Sequence, residues 1–184
     1  VENTSNLGGG ACYTQDALDE IAAVAKANGC GTHIDGARIF NAAIATGVDV
    51  SRMCRDYDSV SICFSKGLGA PVGSVLVGSQ EFINKAHRWR KMFGGGWRQA
   101  GIIASGALYA LDNHVDRLAE DHARARRVAE AIDAMENFSV DLEAVQSNLV
   151  YVNCKIPAAD VVESLAEHGI DTVSYTHLRA HETG

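Results

Sequence analysis

Short β-forming runs alternate with helical runs along the first half of the chain. Thr14 can cap a helix whose apolar residues recur on one face, and the pattern stops at Gly29, which predicts a helix over residues 15–28. The same reasoning predicts a strand at 32–34 ending at Asp35, a helix at 37–45, and strands at 58–64 and 72–77. Strands separated by helices indicate βαβ units. We therefore expect a doubly wound α/β domain with a mainly parallel sheet and helices on both faces.

The pattern of helical and β-forming runs in the second half of the chain predicts a smaller α/β unit. A helix is expected at 80–92, followed by a break at Gly94–Gly96 and a long helix-rich region over 98–135. Candidate strands at 139–142 and 149–153 and a helix at 158–168 complete the pattern. The expected organisation is the C-terminal part of a large domain in residues 1–112 and a partial small domain in residues 113–171.

The ends of the chain carry two further expectations. The first residue is Val1 rather than Met, and the chain opens as if a strand were running into a loop, which is typical of a fragment cut inside a domain. The back-translation of VSYTHLRAHET, which begins at Val173, resembles a sequencing adapter. We expect the natural chain to end near Asp171 and residues 172–184 to be a non-native tail.

Composition excludes several classes of protein. The net charge of −7 disfavours a general nucleic-acid binder, and no apolar run reaches the roughly 20 residues that span a bilayer. The five cysteines are irregularly spaced and form no C-x-x-C pair, which favours a reducing, cytoplasmic compartment, and the histidines lack metal-ligand spacing. The basic and aromatic run at 87–91 could bind nucleic acid, but a solvated helix face with Trp89 packed is the favoured interpretation.

Two polar residues follow the ends of predicted strands, where ligands bind in open α/β sheets. Asp35 ends one strand, and Lys66 follows another within a glycine-rich segment. A lysine among apolar strand residues can lose enough solvation to become a Schiff-base nucleophile. A buried carboxylate beside it can keep the ring nitrogen of pyridoxal phosphate (PLP) protonated. The alternative is that Asp35 merely caps the next helix and Lys66 is a solvated loop residue.

These residues stand in motifs that resemble the low-specificity L-threonine aldolases, PLP-dependent enzymes of the aspartate-aminotransferase fold type I. The resemblance runs in unbroken order from Val1 to about Asp112 and is weaker beyond it. It is carried by Glu2-Asn3-Thr4, HIDGARIFNA at 33–42, DSVS at 58–61, SKGLGAPVGS at 65–74, RWRK at 88–91 and GGGWRQAG at 94–101.

The resemblance implies a role for each matching residue. Lys66 would hold the cofactor, Asp35 would face its ring nitrogen, and Arg38 would bind the substrate carboxylate. Lys91 and Arg98 match basic residues near the cofactor phosphate, in this subunit's site or a neighbouring one. The implied protein is a homo-oligomer, a dimer or tetramer, with a PLP-transferase-like large domain. It would cleave L-threonine or L-allo-threonine, small β-hydroxy amino acids, to glycine and acetaldehyde.

Two departures from the family pattern limit this expectation. Ser5 stands where many members have histidine. This chain also has no counterpart of three family features: the phosphate-binding Gly-Thr loop, the histidine stacked on the cofactor and the C-terminal arginine on the substrate. We therefore expect this chain alone to be inactive.

The spacing of the glycine run leaves open whether Gly94–Gly96 cradles a phosphate or serves as a hinge.

Two alternatives remain at this stage. A β-eliminating PLP lyase of the same fold would use the same Lys66 and Asp35 chemistry, although the run Arg98–Gly101 favours the aldolase. A non-catalytic ligand-binding α/β domain would keep the sheet without the reaction.

Overall fold

The computed structural model describes residues 1–174 of the chain. Residues 172–174 of the predicted tail are exposed and have no regular structure, and the rest of the tail lies outside the described residues. The elements in chain order are α1 (Gln15–Ala27), β1 (His33–Asp35), α2 (Ile39–Thr46), α3 (Val50–Cys54), β2 (Ser59–Cys63), β3 (Ser74–Gly78), α4 (Gln80–Met92), α5 (Gly101–Asn113), α6 (Leu118–Asp133), β4 (Phe138–Ser139), β5 (Asn153–Cys154) and α7 (Ala158–Glu167).

Local signals predicted most of these elements. Helix α1 begins after Thr14, whose side chain accepts a hydrogen bond from the Ala17 amide, and α4 is capped in the same way by Ser79. Helix α3 was not predicted, because five residues are too few to show helical periodicity. Strands β4 and β5 have only two residues each, shorter than predicted. The domain boundary at 112/113 stays a prediction, and α5 ends at Asn113.

The main sheet has the order β1-β2-β3. Strands β1 and β2 are parallel, and Glu2 adds an isolated parallel bridge to Asp35. Strand β3 pairs antiparallel with β2, which the alternation of strands and helices did not predict. Strand β3 is antiparallel because the connection at 64–73 is short. A parallel crossover needs a dozen or more residues, whereas an antiparallel pair can be joined by fewer.

The apolar face of this sheet forms the main core. Ile34 and Val60 are buried against Leu18, Ile39 and other side chains of the first three helices. Burying each large aliphatic side chain contributes about 1.5–3 kcal/mol. The opposite face is polar at β1 and β2, because alternate residues of a strand point to opposite sides. The core therefore fixes which face of the sheet carries the candidate site.

A second core cluster lies behind the segment that follows β2. Leu68 and Ala70 pack with Ala110 of α5 and Leu118 of α6. The buried Asn41 amide lies beside this cluster and donates to His122 Nε2 at 3.0 Å and to Asn148 Oδ1 at 3.2 Å. Burial lowers the pKa of His122, with Asp121 opposing the shift, which favours the neutral imidazole that can accept this bond.

The segment at 146–151 is tied to the N-terminal loop. The Ser147 hydroxyl donates to the Gly10 carbonyl at 2.8 Å, and the Cys12 amide donates to the Gln146 side chain at 2.8 Å. The Tyr151 hydroxyl donates to the Asn6 carbonyl at 2.6 Å. These contacts join residues more than 130 positions apart and hold the segment at 146–151 against the N-terminal loop.

The expectation that Trp89 is packed is wrong. Trp89 is 56% exposed and stacks only loosely on Phe93, with ring centroids 6.0 Å apart. Helix α4 fully buries none of its residues in the described part of the chain, and its large side chains Phe82, Trp89 and Met92 are exposed. By contrast, helix α6 carries a face of paired charges, because Arg124 pairs with Glu120 and Asp121, and Arg126 pairs with Glu130.

Within residues 1–174, none of the helices is long and apolar enough to cross a membrane. The same residues contain no cluster of three side chains suited to hold a metal ion.

Candidate active site

Two neighbouring strands bring Asp35 and Lys66 to one edge of the sheet. Asp35 is the last residue of β1 and pairs in register with Ser61 of β2, while Lys66 comes three residues after β2 ends. The Gly36 amide donates to the Ser61 carbonyl at 2.8 Å and holds the two strand ends together. Since β1 and β2 are parallel, both residues leave the sheet at its carboxyl edge.

Asp35 combines a local turn contact with an available oxygen. Its Oδ1 accepts a hydrogen bond from the Ala37 amide at 3.1 Å, the Asx-turn geometry typical of aspartate. Helix α2 starts only at Ile39, so the helix-capping alternative is replaced by this turn. The side chain is exposed rather than buried as expected, because its strand position faces the open side of the sheet. Oδ2 accepts no hydrogen bond within residues 1–174 and is available to a ligand.

The backbone around Asp35 is held by the first residues of the chain. The Asp35 amide donates to the Val1 carbonyl at 2.7 Å, and the Asn3 amide donates to the Asp35 carbonyl at 3.1 Å. Thr4 is buried with a φ of 58°, a left-handed conformation that is uncommon outside glycine, and its hydroxyl donates to the Arg38 carbonyl at 3.1 Å. This strained residue joins the N-terminal loop to the start of α2.

Lys66 lies in a compact turn of residues 64–70, here called the lysine turn. The Ala70 amide donates to the Phe64 carbonyl at 3.0 Å, and the Gly69 amide donates to the Lys66 carbonyl at 2.9 Å. Gly69 has a φ of +71°, which glycine adopts without strain. Leu68 and Ala70 take the buried positions and leave the Lys66 side chain exposed. The expectation that apolar strand residues surround the amine is therefore wrong for the described residues.

Three side chains that are distant in the sequence, His114, Asn41 and Leu118, lie against the lysine turn, and sequence reasoning singled out none of them as a site residue. His114 Nδ1 lies 2.7 Å from the Leu68 carbonyl. Gly67 leaves little room, since a Cβ there would lie 3.1 Å from Asn41 Oδ1 and 3.2 Å from Leu118 Cδ2. The turn is thus held between α2 on one side and the junction of α5 and α6 on the other.

Of the other polar groups near the strand ends, His33 and Ser5 form local hydrogen bonds, whereas the Arg38 guanidinium forms none within the described residues. Arg38 is half-buried at the start of α2, three residues after Asp35, and its guanidinium has no hydrogen-bond partner within residues 1–174. His33 bonds the Ser59 hydroxyl through Nδ1 at 2.8 Å and lies 3.3 Å from the Ser61 hydroxyl through Nε2. Ser5 donates to Glu2 at 2.9 Å, so it closes the N-terminal loop at the position where the family often has histidine.

Lys91 and Arg98 are not brought to the strand ends by any contact of the described residues. In the glycine run between them, the Gly94 amide donates to the Lys91 carbonyl at 3.2 Å and the Gly95 amide to the Arg90 carbonyl at 2.8 Å. These hydrogen bonds close the C-terminal end of α4. The helix dipole carries a partial negative charge at that end, which repels anions. The amides of Gly94 and Gly95 therefore cap α4 in this structure, and the role of the run toward a phosphate stays a prediction.

Comparisons with known proteins give a consistent result. Residues 1–155 match the family model described as Beta-eliminating lyase. The chain is 42% identical over 174 residues to Low-specificity L-threonine aldolase 1 of Arabidopsis thaliana, covering 92% of this chain and 49% of the relative. It is 43% identical over 152 residues to the Low specificity L-threonine aldolase of Escherichia coli K12, covering 83% of this chain and 44% of the relative.

Solved structures agree with the fold. A crystal structure from Exiguobacterium, of a protein assigned as an aromatic amino acid beta-eliminating lyase/threonine aldolase, matches with a TM-score of 0.83 and 27% identity, over 95% of this chain and 50% of that one. The α/β fold class and the resemblance to threonine aldolases are thereby confirmed. The chain spans about half the length of the curated relatives it matches.

Proposed function

The chain belongs to the beta-eliminating lyase family, and on this basis we propose that the complete protein is a PLP-dependent threonine aldolase that cleaves L-threonine or L-allo-threonine to glycine and acetaldehyde. The observation that carries the proposal is the placement of Lys66 and Asp35 beyond the carboxyl ends of two adjacent parallel strands. An amine and a carboxylate in that position match the two groups that this cofactor needs.

The residues present fit PLP in part. Lys66 offers an exposed amine beyond the end of β2, and Asp35 offers Oδ2 on an exposed side chain at the end of β1. The amides of Gly94 and Gly95 are already bonded, so they supply no phosphate cradle in this structure. Lys91 and Arg98 remain proposed phosphate contacts, in this subunit or in a neighbouring one.

Three residues of this chain would have separate roles in cofactor binding and catalysis. PLP, when bound, withdraws electrons from the substrate Cα and so weakens the bonds to that carbon. Lys66 would hold the cofactor through its amine, and Asp35 would keep a proton on the facing ring nitrogen. Arg38 would bind the substrate carboxylate through two parallel N–H donors and so orient the Cα–Cβ bond.

The activity is tested on the full-length protein with L-threonine and L-allo-threonine. Acetaldehyde and glycine should form in equal amounts, and added PLP should give a visible absorbance band. Release of ammonia and a keto acid instead would support the β-eliminating alternative. Neither product and no band would support a ligand-binding domain.

Arg38→Lys should impair substrate use more than cofactor binding. A lysine keeps the charge but cannot form the bidentate contact, so the KM for threonine should rise about tenfold or more while the PLP dissociation constant changes little. Steady-state kinetics and a PLP titration measure the two effects. Arg127→Lys, on the exposed face of α6, is the matched control. An unchanged KM and kcat in Arg38→Lys would refute the assignment.

We also propose that the protein is a homo-oligomer in the cytoplasm. Large apolar side chains stay exposed on α4, α5 and the loop between them, among them Met92, Phe93, Trp97 and Ile102. A surface of this kind is typical of an interface. All five cysteines lie within the described residues as free thiols, which suits a reducing compartment. Light scattering of the full-length protein measures the assembly; a fully active monomer would contradict it.

A further inference from the structure

His114 connects the lysine turn to the junction of two long helices. It follows the last residue of α5 and comes four residues before α6 begins. Its Nδ1 lies 2.7 Å from the Leu68 carbonyl, although the two residues are 46 positions apart in the chain. The ring packs edge-on against Tyr109, with ring centroids 5.4 Å apart, which fixes its orientation.

The accepting carbonyl belongs to a buried residue of the turn. Leu68 is 3% exposed and packs with Ala110 and Leu118, so its carbonyl has little access to water. A buried carbonyl without a partner is costly, and the bond from His114 removes that cost. Since Leu68 comes two residues after Lys66, the bond restrains the backbone that carries the amine.

We propose that His114 is a positioning residue, whose Nδ1–H bond to the Leu68 carbonyl holds the lysine turn so that Lys66 keeps one orientation at the edge of the sheet. This inference rests on the proposed role of Lys66. His114 does not touch the reacting atoms and acts through the turn backbone.

The contact is specific to one ring nitrogen. A carbonyl oxygen only accepts, so Nδ1 must carry the proton, and Nε2 is not needed for this bond. The ring borders a cavity of about 100 Å³ that also touches Gly67, Arg117 and Asp121. A substituted side chain of similar size therefore has room there. Because Asn Nδ2 occupies the place of His Nδ1, asparagine should replace the histidine, whereas phenylalanine and glutamine should not.

The test measures amide hydrogen exchange in the full-length protein without cofactor. In His114→Phe and His114→Gln, the Gly69 and Ala70 amides, which close the turn, should exchange about tenfold faster than in the wild type. In His114→Asn their protection should stay near the wild-type level. His168→Phe is the matched control, because His168 Nδ1 makes the same kind of bond at the end of α7, to the Ser164 carbonyl at 2.8 Å.

Kinetics give the second measurement. If the proposed function holds, His114→Phe should lower kcat about tenfold with little change in KM, and His114→Asn should restore it. Equal protection in His114→Phe and the wild type, or equal loss in His114→Asn and His114→Phe, would overturn the proposal. Absence of threonine cleavage in the wild type would refute the function alone, since the exchange measurement needs neither substrate nor cofactor.

Discussion

Lys66→Ala in the full-length protein should reduce threonine cleavage on the order of 10³-fold or more. The amine would be the only covalent attachment for the cofactor, and removing a nucleophile of this kind eliminates most of the catalytic effect. The side chain is exposed and makes no hydrogen bond within the described chain, so its loss should leave the melting temperature nearly unchanged. Turnover and thermal unfolding separate the two effects.

Chemical labelling identifies the lysine directly. Borohydride reduction of the protein with PLP, followed by peptide mapping, should place the label on Lys66. Lys91→Ala is the control, because Lys91 is the other lysine that the family resemblance assigns to the cofactor, and its loss should weaken PLP binding without removing the label. A label on Lys91, or near-normal turnover in Lys66→Ala, would overturn the assignment.

Asp35→Asn should lower kcat on the order of 10²-fold or more. The substitution removes the negative charge that would keep the ring nitrogen protonated. The Oδ1 of asparagine can still accept the bond from the Ala37 amide, so the turn between β1 and α2 should survive. Kinetics, a PLP titration and a melting curve should show weaker turnover and weaker cofactor binding at unchanged stability.

Asp160→Asn serves as the control for this variant, because Asp160 is an exposed aspartate in the first turn of α7. It removes the same charge away from the sheet edge and should leave kcat unaltered. If Asp35→Asn also kept the wild-type kcat, Asp35 would be a turn residue only, as the alternative interpretation of the sequence holds.

Predictions from local signals agree well with the structure. Helix α4 spans the predicted residues 80–92, and α1 ends one residue before its predicted end. Capping bonds and apolar periodicity involve residues a few positions apart, so the sequence contains them. The placement of Asp35 and Lys66 at strand ends also depends on such short runs. Their chemical roles come from the family resemblance and stay predictions.

Contacts between distant residues could not be predicted in this way. The bond of His114 to the lysine turn and the buried amide network of Asn41 join segments 46 to 107 positions apart. Asn41 falls within the motif at 33–42, but that motif does not indicate its partners, and one isolated histidine on a helical stretch gives no indication of its partner either. Only the packing of α2, α5 and α6 around the turn brings these groups together.

The amino-acid sequence by itself determined the helices other than α3, the strands of the main sheet, the α/β class and the placement of the two candidate groups at strand ends. The tertiary structure decided that β3 runs antiparallel, that Lys66 and Asp35 are exposed, and that the glycine run ends a helix. The physical reason is the sequence separation over which each effect acts. Propensity and capping involve residues within one or two helical turns of each other, whereas burial and strand direction depend on which distant segments pack together.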